Sequence, residues 1–250
     1  MAAIAKPCTR AADQEPLQQA AALWRWRPFL FCGYPSKDMR IDPAGYPFIG
    51  GALVPAGLAA LAKRPRLATS LALLGGFFAY FFRDPDRTIP QAPGLVVAPA
   101  DGKVMIAGPT DHRWAPEGEW QQVTIFLSPA DVHINRTPVE GRITKIDYRP
   151  GKFLPAYDEG SNDNELNELW IDSNGRTIVV RQVVGILARR IVCRVVEGQT
   201  LHRGERIGLM KFGSRMDVFM PPDAELRVTV GQTVVAGETV LASVPPHGAQ

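Results

Sequence analysis

The sequence predicts a mainly β protein: a flattened β-barrel or sandwich with an internal two-fold strand–turn–strand repeat, preceded by short membrane-associated helices. Three observations carry that expectation. Beyond residue 82, short β-branched runs alternate with Gly, Pro and Asp turns at roughly 8–12-residue spacing, as in sandwiches and barrels. Just before that point stand two apolar runs parted by a basic tetrapeptide. Near the C-terminus one strand–turn–strand unit is written twice.

Residues 1–47 read as a leader and an interfacial segment. The opening lacks the charged-then-apolar order of a secretory signal. Trp24-Arg-Trp-Arg-Pro-Phe-Leu-Phe31 interleaves aromatics with arginines, a pairing suited to a membrane interface. Residues 48–82 hold the apolar runs 49–62 and 67–82, separated by Lys63-Arg64-Pro65-Arg66. As helices they reach roughly 21 and 24 Å, short of a hydrocarbon core of ~30 Å. Shallow insertion from the cytoplasmic face is therefore favoured over a spanning hairpin; a hairpin buried in protein is the plainer alternative.

Residues 83–250 form the β-rich domain, with strands expected at 95–97, 103–107, 122–127, 141–147, 167–171, 177–184 and 190–196, and near 206, 217, 226 and 239. One helical turn is expected at 129–133, with Ser128 as its cap. The repeat sets residues 196–209 against 230–242: Gly-Gln-Thr recurs 33 residues on, and so does the following Gly-Glu. Two copies are too few for a solenoid. They suit pseudo-symmetric halves of a flattened barrel, with 210–220 as the connection between them.

Composition narrows the partners. The net charge of +3 is uneven: residues 1–90 carry eleven Lys/Arg against six Asp/Glu, the remainder seventeen against nineteen. A basic N-terminal region favours an anionic membrane over a nucleic-acid groove. Cys8, Cys32 and Cys193 are odd in number and far apart, which fits a reducing compartment and offers neither a disulfide framework nor a metal knuckle. No metal site is expected.

The chemistry centres on Gly213-Ser214. In a strand-rich setting a serine hydroxyl can attack the preceding carbonyl and turn the amide into an ester, after which β-elimination cuts the chain and leaves a pyruvoyl group. Glycine suits the step because it has no Cβ to hinder the approach. The attack needs a base, and the base an orienting group. Of four histidines, His133 in Leu127-Ser-Pro-Ala-Asp-Val-His-Ile-Asn-Arg-Thr-Pro138 follows an apolar strand that would present it rigidly. Asp101, in Val97-Ala-Pro-Ala-Asp-Gly-Lys-Val104, also follows a strand. Asp101, His133 and Ser214 make a candidate triad in that chain order, although Asp-Gly is first of all a turn signal.

Residues 82–90, 98–104, 128–138 and Phe212-Gly-Ser214, in unbroken order across roughly 48–245, resemble the phosphatidylserine decarboxylase proenzymes of the short bacterial and archaeal form. The resemblance implies self-cleavage into chains 1–213 and 214–250, with Ser214 becoming a covalent pyruvoyl cofactor. It implies Asp101, His133 and Ser214 as the cleavage triad, and a ketone at 214 that condenses with the substrate amine. Phosphatidylserine in an anionic membrane is then the partner, with archaetidylserine as the alternative; the exposed apolar N-terminal region is compatible with a dimer. Long-form relatives read Leu-Gly-Ser-Thr where this chain has Lys211-Phe-Gly-Ser-Arg215, and carry a second histidine where it has Arg136. His133 is accordingly expected to serve both cleavage and decarboxylation. Arg136, Lys103 and Arg215 are candidates for the phosphodiester. The polar loop 157–167, with Asn164-Glu165, is expected to cover the site. A different class, a biotinyl or lipoyl carrier modified at Lys211 between quasi-symmetric halves, is the runner-up.

Overall fold

The apolar runs fold as two helices, α1 (Tyr46–Leu61) and α2 (Pro65–Phe81), in a computed structural model that describes residues 39–110, 115–154, 163–185, 191–211 and 214–245. The interfacial segment 24–31, His112, His247, Phe212 and Gly213 lie outside the described residues. Each helix has proline in its first turn, where the missing N–H costs nothing. Ala52, Ala56, Ala59 and Gly75 are buried, and a Cβ on Gly75 would lie 2.5 Å from a Leu53 methyl carbon. Small residues thus let the backbones close. The large side chains turn outward instead: Val54, Leu58, Leu61 and Leu73 are each more than 60% exposed. The stretch Pro43–Leu61 is long and apolar enough to cross a membrane by length and composition.

The strands follow in chain order: β1 (Met39–Ile41), β2 (Arg83–Pro85), β3 (Leu95–Val97), β4 (Gly102–Pro109), β5 (Gln121–Leu127), β6 (Ile134–Arg136), β7 (Gly141–Arg149), β8 (Leu166–Ser173), β9 (Arg176–Val184), β10 (Ile191–Cys193), β11 (Thr200–Leu201), β12 (Arg206–Met210), β13 (Ser214–Met220), β14 (Glu225–Leu226), β15 (Thr233–Val234) and β16 (Val240–Ser243). Eight of them form one sheet in the order β11-β7-β8-β9-β13-β5-β4-β15. Two three-stranded sheets, β10-β12-β6 and β14-β16-β3, pack across its inner face. The main core lies between these layers, where Ile125, Val180, Met216 and Val218 of the large sheet meet Val96, Ile207 and Leu241.

The architecture is a mainly β, sandwich-like stack of open sheets, which corrects the barrel half of the sequence expectation. The repeat explains why no barrel closes. In each copy the first strand ends the large sheet, β11 on β7 at one edge and β15 on β4 at the other. The second strand of each copy, β12 or β16, enters a small sheet. The two edges are therefore capped separately and never meet.

The strand expected near 217 is present and lies on the connection between the repeats: 214–220 form β13, paired with β5 and β9 in the middle of the sheet. One further expectation changes. Residues 129–131 make a single turn rather than a helical one: Asp131 N–H donates to the Ser128 carbonyl at 2.9 Å and Ala130 N–H to Ser128 Oγ at 3.4 Å. The Asp131 side chain ties back to Ser128, its carboxylate accepting from the Ser128 N–H at 2.7 Å.

The duplication also runs deeper than the Gly-Gln-Thr signature. Ala98-Pro-Ala-Asp-Gly-Lys-Val104 matches Thr137-Pro-Val-Glu-Gly-Arg-Ile143, and the two segments exchange reciprocal bonds. Val97 N–H donates to Pro138 and Arg136 N–H to Pro99. Gly237 N–H donates to Ala98 as Gly204 N–H does to Thr137. Both glycines have φ near +77°, and a Cβ on either would strike the same Ile89 methyl.

Candidate active site

Ser214 heads β13 at one end of the large sheet, opposite Leu127 of β5 and Val184 of β9. Strand alternation turns Ser214, Met216, Val218 and Met220 toward the core and Arg215, Asp217 and Phe219 to the opposite face. Ser214 is fully buried, and its Oγ has no hydrogen-bond partner among the described residues. Nearly every buried polar group in a folded protein is paired, so an unspent hydroxyl here stands out.

His133 reaches the same end of the sheet by two routes. The chain leaves β5 at Leu127, the residue opposite Ser214, and arrives at His133 six residues on. Met210, four residues before Ser214, donates its N–H to the His133 carbonyl at 3.3 Å. The imidazole is buried, lies against the Phe81 ring at 4.3 Å between centroids, and has Nδ1 2.9 Å from the Asp131 carbonyl. A carbonyl only accepts, so Nδ1 carries the proton and Nε2 the lone pair. Burial pushes the imidazole down to about 4, and the Arg83 cation adds to the effect. His133 is thus a neutral base at physiological pH.

Asp101 stands at the start of β4, whose Lys103 pairs with Phe126 beside Leu127. Its carboxylate accepts from Arg87 at 2.8 and 3.1 Å and from Ala236 N–H at 2.8 Å. Burial raises its pKa, with Arg87 opposing. The hydrogen bond that orients His133 comes from the Asp131 main chain, while the Asp101 carboxylate is engaged by Arg87 and Ala236. Asp131 is itself pushed up by burial and by the nearby Asp101, and Arg83 favours the ionised form of both carboxylates. Arg83, at the start of β2, also ties the end of α2 to this turn. It stacks on Tyr80 and donates to the carbonyls of Tyr80 and Ala130.

The three candidates for the phosphodiester stand in different settings. Arg136 is buried and holds Asp84 and the carbonyls of Pro85 and Gly204. Arg215 faces away from Ser214 and pairs with Asp217. Lys103 is exposed. Of the covering loop, 155–162 lie outside the described residues; Asn164 clamps its base, bonding Leu154 and the Val184 carbonyl beside Ser214. Lys211 lies over the Phe48 ring, next to a central strand rather than on a hairpin tip, so the carrier geometry is absent. Sequence reasoning missed Arg83, Arg87 and Asp131. The two arginines stood within the noted 82–90 motif, but their partners lie 14 to 47 residues away.

A buried serine with an unspent hydroxyl, a neutral histidine whose tautomer is set, and a carboxylate held by an arginine, on this fold, mark the class: a β-sandwich enzyme. Comparison with known proteins gives the particular family. The phosphatidylserine decarboxylase family model matches residues 74–242. A phosphatidylserine decarboxylase proenzyme of Oleidesulfovibrio alaskensis is 45% identical over 205 residues, covering 81% of this chain and 94% of the relative. Its namesake in Symbiobacterium thermophilum is 45% identical over 84% of this chain and 99% of its own. That of Ruegeria pomeroyi is 48% identical over 66% and 78%. The chain belongs to the phosphatidylserine decarboxylase family.

Proposed function

We propose that this chain is a proenzyme that cuts itself between Gly213 and Ser214 and then decarboxylates phosphatidylserine to phosphatidylethanolamine at a membrane surface. The carrying observation is the Ser214 Oγ: buried, unspent, and at the sheet end reached by His133. His133 Nε2 takes the hydroxyl proton, the Asp131 carbonyl keeps the ring oriented, and the Asp101 charge favours the imidazolium that forms. The pyruvoyl group derived from Ser214 supplies an electrophilic carbonyl that captures the substrate amine and accepts the electron pair released with CO2. The apolar lining, Leu127 and Val184 beside Ser214 and Phe81 over His133, excludes water and favours loss of neutral CO2 from a carboxylate.

The outward leucines of α1 and α2 support shallow membrane insertion from the cytoplasmic face. Phe81 joins that hairpin to His133, so a bound head group meets the site without leaving the bilayer. Phe81 and Phe82 also belong to a core cluster with Val132, Ile134 and Leu209, so removing both helices would unseat His133. Point changes test the membrane role more cleanly.

Intact mass decides the first half. The wild type is expected as two chains, the second blocked to Edman sequencing, and Ser214→Ala as one uncut, inactive chain; an uncut, active wild type overturns the reading. For the second half, Leu58→Glu with Leu73→Glu should still self-cleave yet leave vesicles. High salt alone should not strip the wild type, because apolar burial supplies the salt-insensitive part of binding. Release of the wild type by salt would mean charge alone holds it.

A further inference from the structure

Ser214 is not alone in having an unspent buried group. Asn135 Nδ2 also lacks a partner among the described residues, although the residue is fully buried. Its other amide atom is committed. Asn135 Oδ1 accepts from Gln182 Nε2 at 2.8 Å, and Gln182 Oε1 accepts from Asn167 Nδ2 at 2.9 Å. All three side chains are at most 2% exposed. The relay runs one way and ends in an amide with N–H bonds to give. Leaving a buried donor unmet is costly, so such an end is expected where an oxygen arrives during the reaction.

The relay ends close to Ser214. Gln182 is opposite Met216 and Val184 is opposite Ser214, so Gln182 and Ser214 are diagonal neighbours on the core face. Asn135 follows His133 by two residues, and its bond to Gln182 holds it beside the strand end that carries Ser214. The hydroxyl and the spare amide thus belong to one end of the sheet.

We propose that Asn135 is a catalytic residue of self-cleavage, donating from Nδ2 to the carbonyl oxygen of the residue before Ser214 as that oxygen becomes negative. The proposal rests on the self-cleavage reading. The Ser214 hydroxyl gives its proton to His133 Nε2, and its oxygen bonds to the carbonyl carbon that Ser214 N already carries. The carbonyl π pair moves onto oxygen, where the Asn135 N–H holds it. The pair then returns, the C–N bond breaks, and the nitrogen takes the proton back from His133, leaving an ester and a free amine. A neutral amide suits the task, since it stabilises the charge without importing another into the core.

The test follows the cutting of full-length proenzyme on denaturing gels. Asn135→Asp keeps the acceptor for Gln182 and the shape but loses the donor, and should slow cutting by roughly 10²–10³-fold. Asn135→Leu should do the same and serves if the aspartate variant fails to fold; melting curves of the uncut chains establish folding. Neutral hydroxylamine, which cleaves esters, should leave either slow variant uncut because no ester has formed. Cutting at the wild-type rate by either folded variant overturns the assignment, and so does hydroxylamine cleavage, which would place the amide after the acyl shift. An uncut wild type overturns the self-cleavage reading as well, and is thereby told apart from failure of the Asn135 assignment alone.

Discussion

The two halves of the internal duplication hold equivalent backbones and different chemistry. One frame runs through Gly94 and Asp101, the other through His133 and Glu140. Val244 N–H donates to the Gly94 carbonyl as Met210 N–H does to that of His133, so glycine and histidine occupy equivalent places. Asp101 and Glu140 likewise precede equivalent glycines, Gly102 and Gly141. Their surroundings part company. The Asp101 carboxylate is 15% exposed and fixed by Arg87 and Ala236 N–H; that of Glu140 is 53% exposed, 3.6 Å from Arg203. The segment after α2 reaches both frames but differently: Arg87 engages Asp101 of the first, whereas Asp84 takes Arg136 of the second. The candidate site thus takes its acid from one copy and its base from the other, with Ser214 on the strand between the repeats. A symmetric frame fixes backbone positions, and whatever covers each half decides which acid becomes reactive.

The largest expected contrast is kinetic. Asp101→Asn should slow self-cleavage by roughly 10²–10⁴-fold, by analogy with loss of the acid in other nucleophile–base sites. Glu140→Gln should leave the rate within about two-fold, because the Glu140 carboxylate is more than half exposed and Arg203 keeps its bonds to the Pro90 and Ala92 carbonyls without it. Pulse-chase gels compare the two directly, and equal rates would erase the distinction between the halves.

A smaller contrast is in stability. Arg87→Met leaves a buried carboxylate unpaired and should cost on the order of 3 kcal/mol. Glu140→Ala, which removes the exposed acid, should cost less than about 1 kcal/mol. Urea titration of the uncut Ser214→Ala background measures both. A similar loss in the two would mean burial does not separate them.

The smallest expected effect is an absence of change. His133 is held down to about 4 against an ordinary 6.5, so the folded chain binds fewer protons than the unfolded chain between those values. Its contribution to stability is complete above the unfolded value and is lost as pH falls toward the folded one. Cutting should accordingly be flat from about pH 8 to about pH 6, with no inflection near the ordinary histidine value. Rates from gels across that range check it; a midpoint near 6.5 would mean His133 is solvated in the proenzyme.

Much was legible beforehand because it is local. Short β-branched runs between Gly, Pro and Asp turns announced most of the strands, the split apolar stretch announced α1 and α2, and repeated Gly-Gln-Thr announced two strand–turn–strand units. The Gly-Ser step and the motifs around Asp101 and His133 were legible as family resemblance. What the chain alone determined is therefore where strands, turns and reactive residue types fall, since these follow from side-chain periodicity and backbone preference. Tertiary structure decided which groups meet. It put Ser214 at the head of a central strand, gave His133 the Asp131 carbonyl, tied Asp101 to Arg87, and engaged Arg136 with Asp84. It also ran the Asn167–Gln182–Asn135 relay across 15 and 47 residues of sequence. Each of those contacts depends on strand register and on which segment covers a sheet end, and no window of local sequence encodes either.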